Sequence, residues 1–469
     1  MKYTTKTAGI LVGLSALLLT SAAQGAKQPN MIVIMCDDLG YSDVGFNGGE
    51  EIPTPGIDRI ANEGVTFTSA YVSYPVCGPS RAGFITGRYG QRFGFERNPQ
   101  YDPTDPNMGL PQEEMTIAES LAQVGYYSGI IGKWHLGAHP VNHPLERGFD
   151  EFFGHLGGGH RYFPEVLIDT DIFEPVGEKG SYFSRIVRDY KTVETTKYLT
   201  DEFSEEAVAF VKRNQDKPFF LFLSYNAPHL PLEATEEYLA RFSHIKDQKR
   251  RTYAAMVSAV DDGVGRLLDT LDDLNLDDDT IVFFLSDNGG PSNKNASDNA
   301  PLRGRKSDAW EGGFRVPMAV RWPAIFDAGI VYELPVLSLD ILGTIAGITN
   351  APANPGRPLD GVNLVPFVTG EVDGVPHKAI YLRKFDQQRY AVRYQDYKLV
   401  IPGKNSKPQL YNLVDDIGET NNLAHSNPEK LEQLDTMLNE WTLDLQDPAF
   451  WGLIHSDEWI KNKAKNKKK

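Results

Sequence analysis

Four short apolar runs, each followed directly by polar residues, constrain the fold of this chain more than any other feature. The runs span residues 31–36, 127–131, 219–225 and 281–285. Stretches with helical periodicity lie between them, and we predict helices over residues 115–124, 202–213 and 251–274. This alternation predicts an α/β domain with a central mixed, mostly parallel sheet flanked by helices.

The polar residues that follow the four runs are predicted to lie close together. They are Asp37 and Asp38 after the first run, Lys133 and His135 after the second, His229 after the third, and Asp287 and Asn288 after the fourth. In open α/β sheets, ligands bind beyond the carboxyl ends of the strands. Separate strands can therefore supply these side chains to one crevice, whatever their distance in the sequence.

The character of the sequence changes after Gly347, where several prolines and glycines form a connector. Beyond the connector we predict short strands at 379–382, 390–394 and 398–401 and a helix at 429–445. The predicted organisation is a signal peptide at 1–26, a large α/β domain at 27–350, a connector at 351–375, a small α+β domain with an antiparallel sheet at 376–460, and a Lys-rich tail at 461–469.

The first residues have the pattern of a secretory signal peptide. Lys2 and Lys6 precede an apolar stretch at 8–20, and small residues follow at 21–26. A membrane anchor is the alternative, but the apolar stretch is shorter than the roughly 20 residues that a spanning helix needs. We therefore expect an exported protein, periplasmic or secreted, without stable membrane insertion.

The charge balance limits the partners of the chain. The 469 residues have a formal net charge of −16, which argues against general binding to nucleic acid or to an anionic membrane. An anionic ligand would need a locally positive site. We interpret the Lys-rich tail as a solvated end, with a tether to an anionic polymer as the alternative.

Four of the converging residues predict a metal site. Asp37, Asp38, Asp287 and Asn288 offer oxygen ligands only, which suits a hard cation such as Ca²⁺ or Mg²⁺ and fits zinc poorly. Adjacent aspartates also occur in helix caps and solvated turns. Here they directly follow apolar strands, so burial is expected, and buried carboxylates need a cation.

The two cysteines, Cys36 and Cys77, allow a disulfide in an exported protein. Cys77 opens the segment Cys77-Gly78-Pro79-Ser80-Arg81, which continues to Thr86-Gly87-Arg88. This segment resembles the signature of the formylglycine-dependent sulfatases of the alkaline phosphatase superfamily. The resemblance implies that a formylglycine-generating or other sulfatase-maturating enzyme oxidises Cys77 to an aldehyde. Since that oxidation removes the sulfur, Cys36 is better interpreted as a buried strand residue.

The resemblance extends over further motifs and implies a role for each matching residue. It implies one calcium ion bound by Asp37, Asp38, Asp287, Asn288 and the modified residue 77. It also implies six catalytic residues, which are Cys77, Arg81, Lys133, His135, His229 and Lys306. Hydrated formylglycine at position 77 would attack sulfur. Arg81, Lys133 and Lys306 would neutralise charge, while His229 would protonate the leaving oxygen and His135 would help to expel sulfate.

The substrate is less constrained than the reaction. The first expectation is a sulfated polysaccharide or oligosaccharide, with His160, Arg161, Tyr162 and Arg97 as candidates for the rim of the pocket. The alternative for these four is a loop whose polar residues face water. A broad arylsulfatase is the second reading of the function. A phosphomonoesterase or phosphonate hydrolase and an inactive glycan-binding protein are the more distant alternatives.

Overall fold

The computed structural model describes residues 28–164 and 184–455, and the predicted signal peptide and Lys-rich tail lie outside the described residues. The strands of the large domain are β1 (Asn30–Cys36), β2 (Val65–Phe67), β3 (Ala70–Tyr71), β4 (Tyr127–Lys133), β5 (Glu151–His155), β6 (Val187–Arg188), β7 (Lys191–Thr192), β8 (Phe219–Ser224), β9 (Thr280–Ser286), β10 (Met318–Arg321), β11 (Ile330–Tyr332) and β12 (Val336–Leu337). The four described strands that follow are β13 (Ala379–Lys384), β14 (Arg389–Tyr394), β15 (Tyr397–Ile401) and β16 (Gln409–Asn412).

The described helices surround the sheets. They are α1 (Pro55–Asn62), α2 (Cys77–Thr86), α3 (Ile117–Ala122), α4 (Leu199–Asn214), α5 (Glu236–Arg241), α6 (Gln248–Asp273), α7 (Ser292–Asn295), α8 (Glu311–Phe314), α9 (Asp340–Thr349), α10 (Val365–Val368) and α11 (Pro428–Thr442). None of the described helices is both long enough and apolar enough to cross a bilayer.

The central sheet has ten strands in the order β11-β2-β10-β9-β1-β8-β4-β5-β6-β7. The five strands from β9 to β5 pair in parallel, and antiparallel neighbours flank them on both sides. This arrangement confirms the predicted mixed, mostly parallel sheet. All four apolar runs of the sequence are strands of the parallel centre, where both faces are covered and continuous apolar sequence is stable.

Strand β1 shows how the two halves of the core are divided. Ile32 and Ile34 point to one face, where they pack with apolar residues of α4 and α6. Met31 and Val33 point to the opposite face, where α2, α3 and α9 cover the sheet. Cys36 ends β1 with its side chain buried, as predicted, and both cysteines are free thiols.

The second sheet is antiparallel, with the order β13-β14-β15-β16, which confirms the predicted small sheet. Helix α11 covers one of its faces, and the indole of Trp441 stacks on the ring of Tyr381 at a centroid distance of 4.9 Å. The apolar cluster of this sheet also includes Tyr71 and Leu339 of the large domain. The small sheet therefore shares its core with the domain that precedes it.

Candidate active site

The carboxyl ends of the central strands bring the predicted residues together. β1 lies between β8 and β9, so Asp37 and Asp38 follow the middle strand and Asp287 and Asn288 follow its neighbour. Cys36 and Ser286 are register partners, which places the two acidic pairs side by side. Lys133 ends β4, which pairs with β8 on the side away from β1.

Helix α2 presents Cys77 to the same crevice. Val76 is extended and Cys77 is the first helical residue, while Pro79 lies in the first turn, where a missing N–H does no harm. The helix ends at Gly87, whose left-handed conformation (φ 64°) lets its N–H bond to the carbonyl of Phe84. All ten residues of α2 are buried, so the position of Cys77 is fixed by packing.

The oxygen-rich group fits a hard divalent cation. One potential ligand atom from each of Asp37, Asp38, Cys77 and Asp287 lies within 4.8 Å of the others, and all four residues are buried. The amide nitrogen of Asn288 donates to Asp38 Oδ1 at 2.7 Å, which leaves the buried Asn288 Oδ1 without a hydrogen-bond partner. An orphaned oxygen beside three carboxylates fits a calcium ligand set, because Ca²⁺ takes oxygen donors in flexible geometry.

Three cationic side chains neutralise these carboxylates. Lys133 forms a buried ion pair with Asp37, and Lys306 Nζ lies 2.6 Å from Asp38 Oδ1. Arg81 binds Asp287 Oδ2 through Nε and a terminal nitrogen, both at 2.9 Å. Three carboxylates and three cations sum to zero, so a bound divalent cation would leave the site with an excess of two positive charges. Such a site favours an anionic ester.

The pKa values of two of the buried carboxyl groups, those of Asp37 and Asp287, are shifted in opposite directions. Burial opposes the charged form of Asp37, but Lys133, His229 and Lys306 outweigh it and hold the pKa of that carboxyl well below its ordinary value. Burial and the charge of Asp37 together raise the pKa of Asp287 to about 7, against the pull of Arg81. Asp37 is therefore the firmly ionised member of the pair.

Cys77 is poorly placed to act as a thiolate. Its Sγ lies 2.9 Å from Lys306 Nζ and 3.3 Å from Asp37 Oδ1, and its side chain is fully buried. Burial, and then the charge of Asp37, raise the pKa of the Cys77 thiol despite the nearby lysines. A neutral thiol is a weak nucleophile, and a soft sulfur is a poor ligand for a hard cation.

Arg81 connects three strand ends and reveals a residue that the sequence did not single out. Besides Asp287, its guanidinium donates to the carbonyl of Lys133 at 3.1 Å and to Ser224 Oγ at 2.5 Å. Ser224 in turn donates to the same carbonyl at 2.6 Å. Ser224 is the last residue of β8, and a polar residue closing an apolar run was the signal that could have found it.

Of the two predicted catalytic histidines, His135 is buried and His229 is partly exposed. The Nδ1 atom of His229 lies 2.6 Å from the Leu230 carbonyl, which can only accept, so Nδ1 carries a proton and Nε2 faces the site, 3.6 Å from Asp38 Oδ2. Burial lowers the pKa of His229, although Asp37 and Asp38 oppose it. Burial, Lys133 and Arg81 hold the pKa of His135 well below its ordinary value, which keeps His135 neutral and able to accept a proton.

The four rim candidates occupy different environments. His160 is buried against the ring of His155, and Arg161 pairs with Glu233 at the surface. Arg97 pairs with Asp386, 2.6 Å away. Tyr162 is fully buried, and its hydroxyl lies 2.8 Å from the carbonyls of Asn226 and His229. That position favours support of the His229 segment over direct contact with a ligand.

Comparisons with known proteins identify the family. The family model "Sulfatase" matches residues 29–351, and the model "N-sulphoglucosamine sulphohydrolase, C-terminal" matches residues 306–447. The chain therefore belongs to the sulfatase family, with the fold of the alkaline phosphatase-like superfamily. Its members are sulfuric ester hydrolases, and so is this protein.

Three individual relatives agree with this assignment. The chain is 36% identical over 374 residues to N-acetylgalactosamine-6-sulfatase of Canis lupus familiaris, a match that covers 76% of this chain and 69% of the relative. It is 31% identical over 429 residues to steryl-sulfatase of Homo sapiens, covering 76% and 73%. The crystal structure of Ps i-CgsB in complex with k-i-k-neocarrahexaose superposes with a TM-score of 0.85 at 38% identity, covering 93% of this chain and 98% of that one.

Proposed function

We propose that this sulfatase removes sulfate from a sulfated polysaccharide or oligosaccharide, with Cys77 converted to formylglycine and one calcium ion bound. The observation that carries the proposal is the buried group at the strand ends. It brings the Cys77 side chain within 2.9 Å of Lys306 and within 3.3 Å of Asp37. The similarity to Ps i-CgsB and to N-acetylgalactosamine-6-sulfatase supports a carbohydrate ester as the substrate.

The calcium ion is proposed to be held by residue 77 and four neighbours, which are Asp37, Asp38, Asp287 and Asn288. The hydrated aldehyde at residue 77 would supply the attacking oxygen, and the ion would supply positive charge opposite the sulfate oxygens. A maturating enzyme is then a required partner, and we propose export to the periplasm or beyond the cell.

The remaining residues of the site are proposed to bind the sulfate and to move protons. Lys133 and Lys306 hold the nonbridging oxygens, and Arg81 fixes Asp287 and the start of α2. His229 presents Nε2 to the crevice, and in its doubly protonated form, which the charges of Asp37 and Asp38 favour, it donates the Nε2 proton to the departing sugar oxygen. His135, kept neutral by burial, accepts a proton when sulfate is expelled.

The test is sulfate release from a defined panel of esters. It includes k-i-k-neocarrahexaose, an N-acetylgalactosamine 6-sulfate oligosaccharide, p-nitrophenyl sulfate and p-nitrophenyl phosphate. Peptide mass spectrometry reports the fraction of residue 77 that is modified, and Cys77→Ala serves as the inactive control. We expect release from at least one oligosaccharide and none from the variant.

Two results would contradict the proposal. Turnover of the aryl sulfate alone by fully modified protein would favour a broad arylsulfatase. Turnover that survives in Cys77→Ala would remove residue 77 from the chemistry.

A further inference from the structure

Trp451 is an exposed aromatic residue whose orientation is fixed by charged and aromatic neighbours. It is 70% exposed. The guanidinium of Arg97 lies 5.3 Å from its ring centroid, and the ring of His455 meets it nearly edge-on at 5.2 Å. Arg97 is itself held by Asp386 and by the Phe450 carbonyl, 2.9 Å away. The indole is therefore presented to solvent in one orientation.

The segment that carries Trp451 is fastened to the start of helix α2. The N–H of Gly78, next to Cys77, donates to Asn98 Oδ1 at 2.9 Å. The carbonyl of the same Asn98 accepts from the N–H of Leu453 at 2.9 Å. One residue thus links the neighbour of the nucleophile to the segment of Trp451, and the exposed indole belongs to the surroundings of the active site.

Lys384 is a second unusual residue in this region. It ends β13 and is 8% exposed, and within residues 28–164 and 184–455 no ion pair or hydrogen bond of its ammonium group is observed. Its Nζ lies 5.4 Å from the ring centroid of Tyr74. Burial lowers the pKa of Lys384 to about 8, although Asp386 opposes the shift. A nearly buried cation without a counter-ion is suited to receive an anion.

Lys384 interacts electrostatically with the catalytic group and with the support of the indole. It is near enough to Lys306 for the two positive charges to repel, which contributes to its lowered pKa. It is also two residues from Asp386, which holds Arg97 beneath Trp451, and the charge of Asp386 acts on Lys384. Lys384 is therefore linked to the sulfate-binding group through Lys306 and to the Trp451 region through Asp386.

We propose that Lys384 and Trp451 form a subsite for a second sugar unit of the substrate, with Trp451 stacking on the pyranose ring and Lys384 binding its sulfate. The proposal rests on the proposed carbohydrate sulfatase function and adds to it a preference for multiply sulfated oligosaccharides. An aromatic face provides a large, rigid contact for the C–H groups of a sugar, and a buried ammonium group provides charge for an anion. A small aryl sulfate has no second unit that reaches either residue.

The experiment compares steady-state constants for k-i-k-neocarrahexaose or another oligosaccharide that the enzyme turns over with those for p-nitrophenyl sulfate. We expect Trp451→Ala to raise KM for the oligosaccharide about tenfold with little change in kcat, since a stack of this kind is worth about one decade in affinity. Trp451→Phe keeps a ring and recovers most of the loss. Neither variant changes the constants for p-nitrophenyl sulfate.

Lys384→Met tests the charge at nearly constant volume. We expect it to raise KM about tenfold for an oligosaccharide with two sulfates and to leave KM unchanged for one of the same length with a single sulfate. Leu443→Ala, at a residue that is 84% exposed, is the matched surface control. Far-ultraviolet circular dichroism checks that each variant is folded.

The experiment distinguishes an error in the proposed subsite from an error in the proposed function. If the wild-type enzyme turns over the oligosaccharide and KM is unchanged in Trp451→Ala and Lys384→Met, the subsite is wrong and the function stands. An equal loss on the aryl ester would assign these residues to the fold instead. If no oligosaccharide is turned over by fully modified protein, both proposals are overturned.

Discussion

Arg81 shows how a single side chain can fix the relative positions of three strand ends. Its guanidinium contacts Asp287, the Lys133 carbonyl and Ser224 at once. A lysine in the same place could not reproduce this fork of donors.

For Arg81→Lys we expect kcat/KM to fall at least about 100-fold and the free energy of unfolding to fall by about 3 kcal/mol, because Asp287 loses its guanidinium partner in a buried site. Urea titration and kinetics on the same preparation measure both quantities. Arg188→Lys, in a half-exposed pair with Glu206, is the control and should change stability by less than about 1 kcal/mol. A stable and fully active Arg81→Lys would contradict this role.

His229→Ala should separate substrates by their leaving group. The proton from Nε2 matters for a sugar alkoxide and little for an activated phenol, so kcat should fall about 100-fold or more on an oligosaccharide and only a few-fold on p-nitrophenyl sulfate. The ratio of the two losses is the measurement. Equal losses on both esters would assign His229 to structure instead of proton transfer.

At this scale the sequence predicted which polar residues meet and missed how they are supported. Asp37, Lys133 and Asp287 could be found because each follows an apolar strand. Asn98 could not, since its contact depends on a loop that returns to Gly78, and the hydrogen bond of Ser224 depends on the rotation of its side chain toward Arg81. The burial of Tyr162 could not be predicted either, because the sequence of a polar loop does not show whether its tyrosine faces water or the core.

At the scale of elements, buried ion pairs join the small sheet to the segment between Lys306 and α8. Lys398 on β15 is fully buried, 2.8 Å from Glu311 at the start of α8 and 2.8 Å from Glu419. Glu419 also accepts from the backbone N–H of Glu311 at 2.8 Å. These charges connect the small domain to the segment that runs from Lys306 to α8.

Lys398→Met should therefore be strongly destabilising. It leaves two buried carboxyl groups without their shared counter-ion, and we expect a loss of about 3–5 kcal/mol in the free energy of unfolding. Adding Glu419→Gln to the same chain should restore part of that loss, because one unpaired charge is removed. Thermal and urea unfolding of the single and double variants provide the comparison, and an additive double variant would argue against a coupled group.

His377 gives the protein a pH-dependent contact at the start of α9. Its Nε2 lies 2.7 Å from Asp340 Oδ1. Burial opposes the charged imidazole, but Asp340 outweighs it, so the pKa of His377 is raised above its ordinary value near 6.5. The stabilisation is complete below the pKa of the unfolded chain and is lost as pH rises through the higher pKa of the folded protein.

As pH rises above the ordinary histidine pKa near 6.5, the free energy of unfolding should therefore fall more steeply in the wild type than in His377→Gln, which keeps a donor but does not titrate. The difference between the two urea-denaturation profiles isolates this histidine from other groups that titrate near neutrality. Parallel profiles would show that the contact does not contribute.

Long elements were predictable and short ones were not. The predicted helix at 251–274 corresponds to α6 (Gln248–Asp273), and the predicted strand at 390–394 corresponds to β14 (Arg389–Tyr394). By contrast, β3, β6, β7 and β12 have two residues each, too few to show any periodicity. β3 and β12 pair with each other although they are distant in the sequence, whereas β6 and β7 form a local hairpin.

At the scale of the whole molecule, the small sheet and parts of the large domain share one apolar cluster. Tyr71 and Leu339 of the large domain pack with Leu382 and Leu399 of the small sheet. The ion pair of Arg92 and Asp360, at 2.8 Å, adds a contact between the segment after α2 and the connector.

We therefore expect a single cooperative unfolding transition. Differential scanning calorimetry should give equal calorimetric and van't Hoff enthalpies, and fluorescence and circular dichroism should give the same midpoint. Two resolved transitions, with the small sheet melting first, would contradict a shared core.

The burial of Cys77 has a consequence for the order of events in the cell. In the folded protein no enzyme can reach this side chain, because Lys306 lies directly against its sulfur. Lys306 is made 229 residues later. At about 5–20 residues per second, a ribosome needs roughly 10–45 s to add them. Synthesis itself therefore gives an enzyme that modifies Cys77 an interval in which Lys306 does not yet exist and cannot cover the thiol.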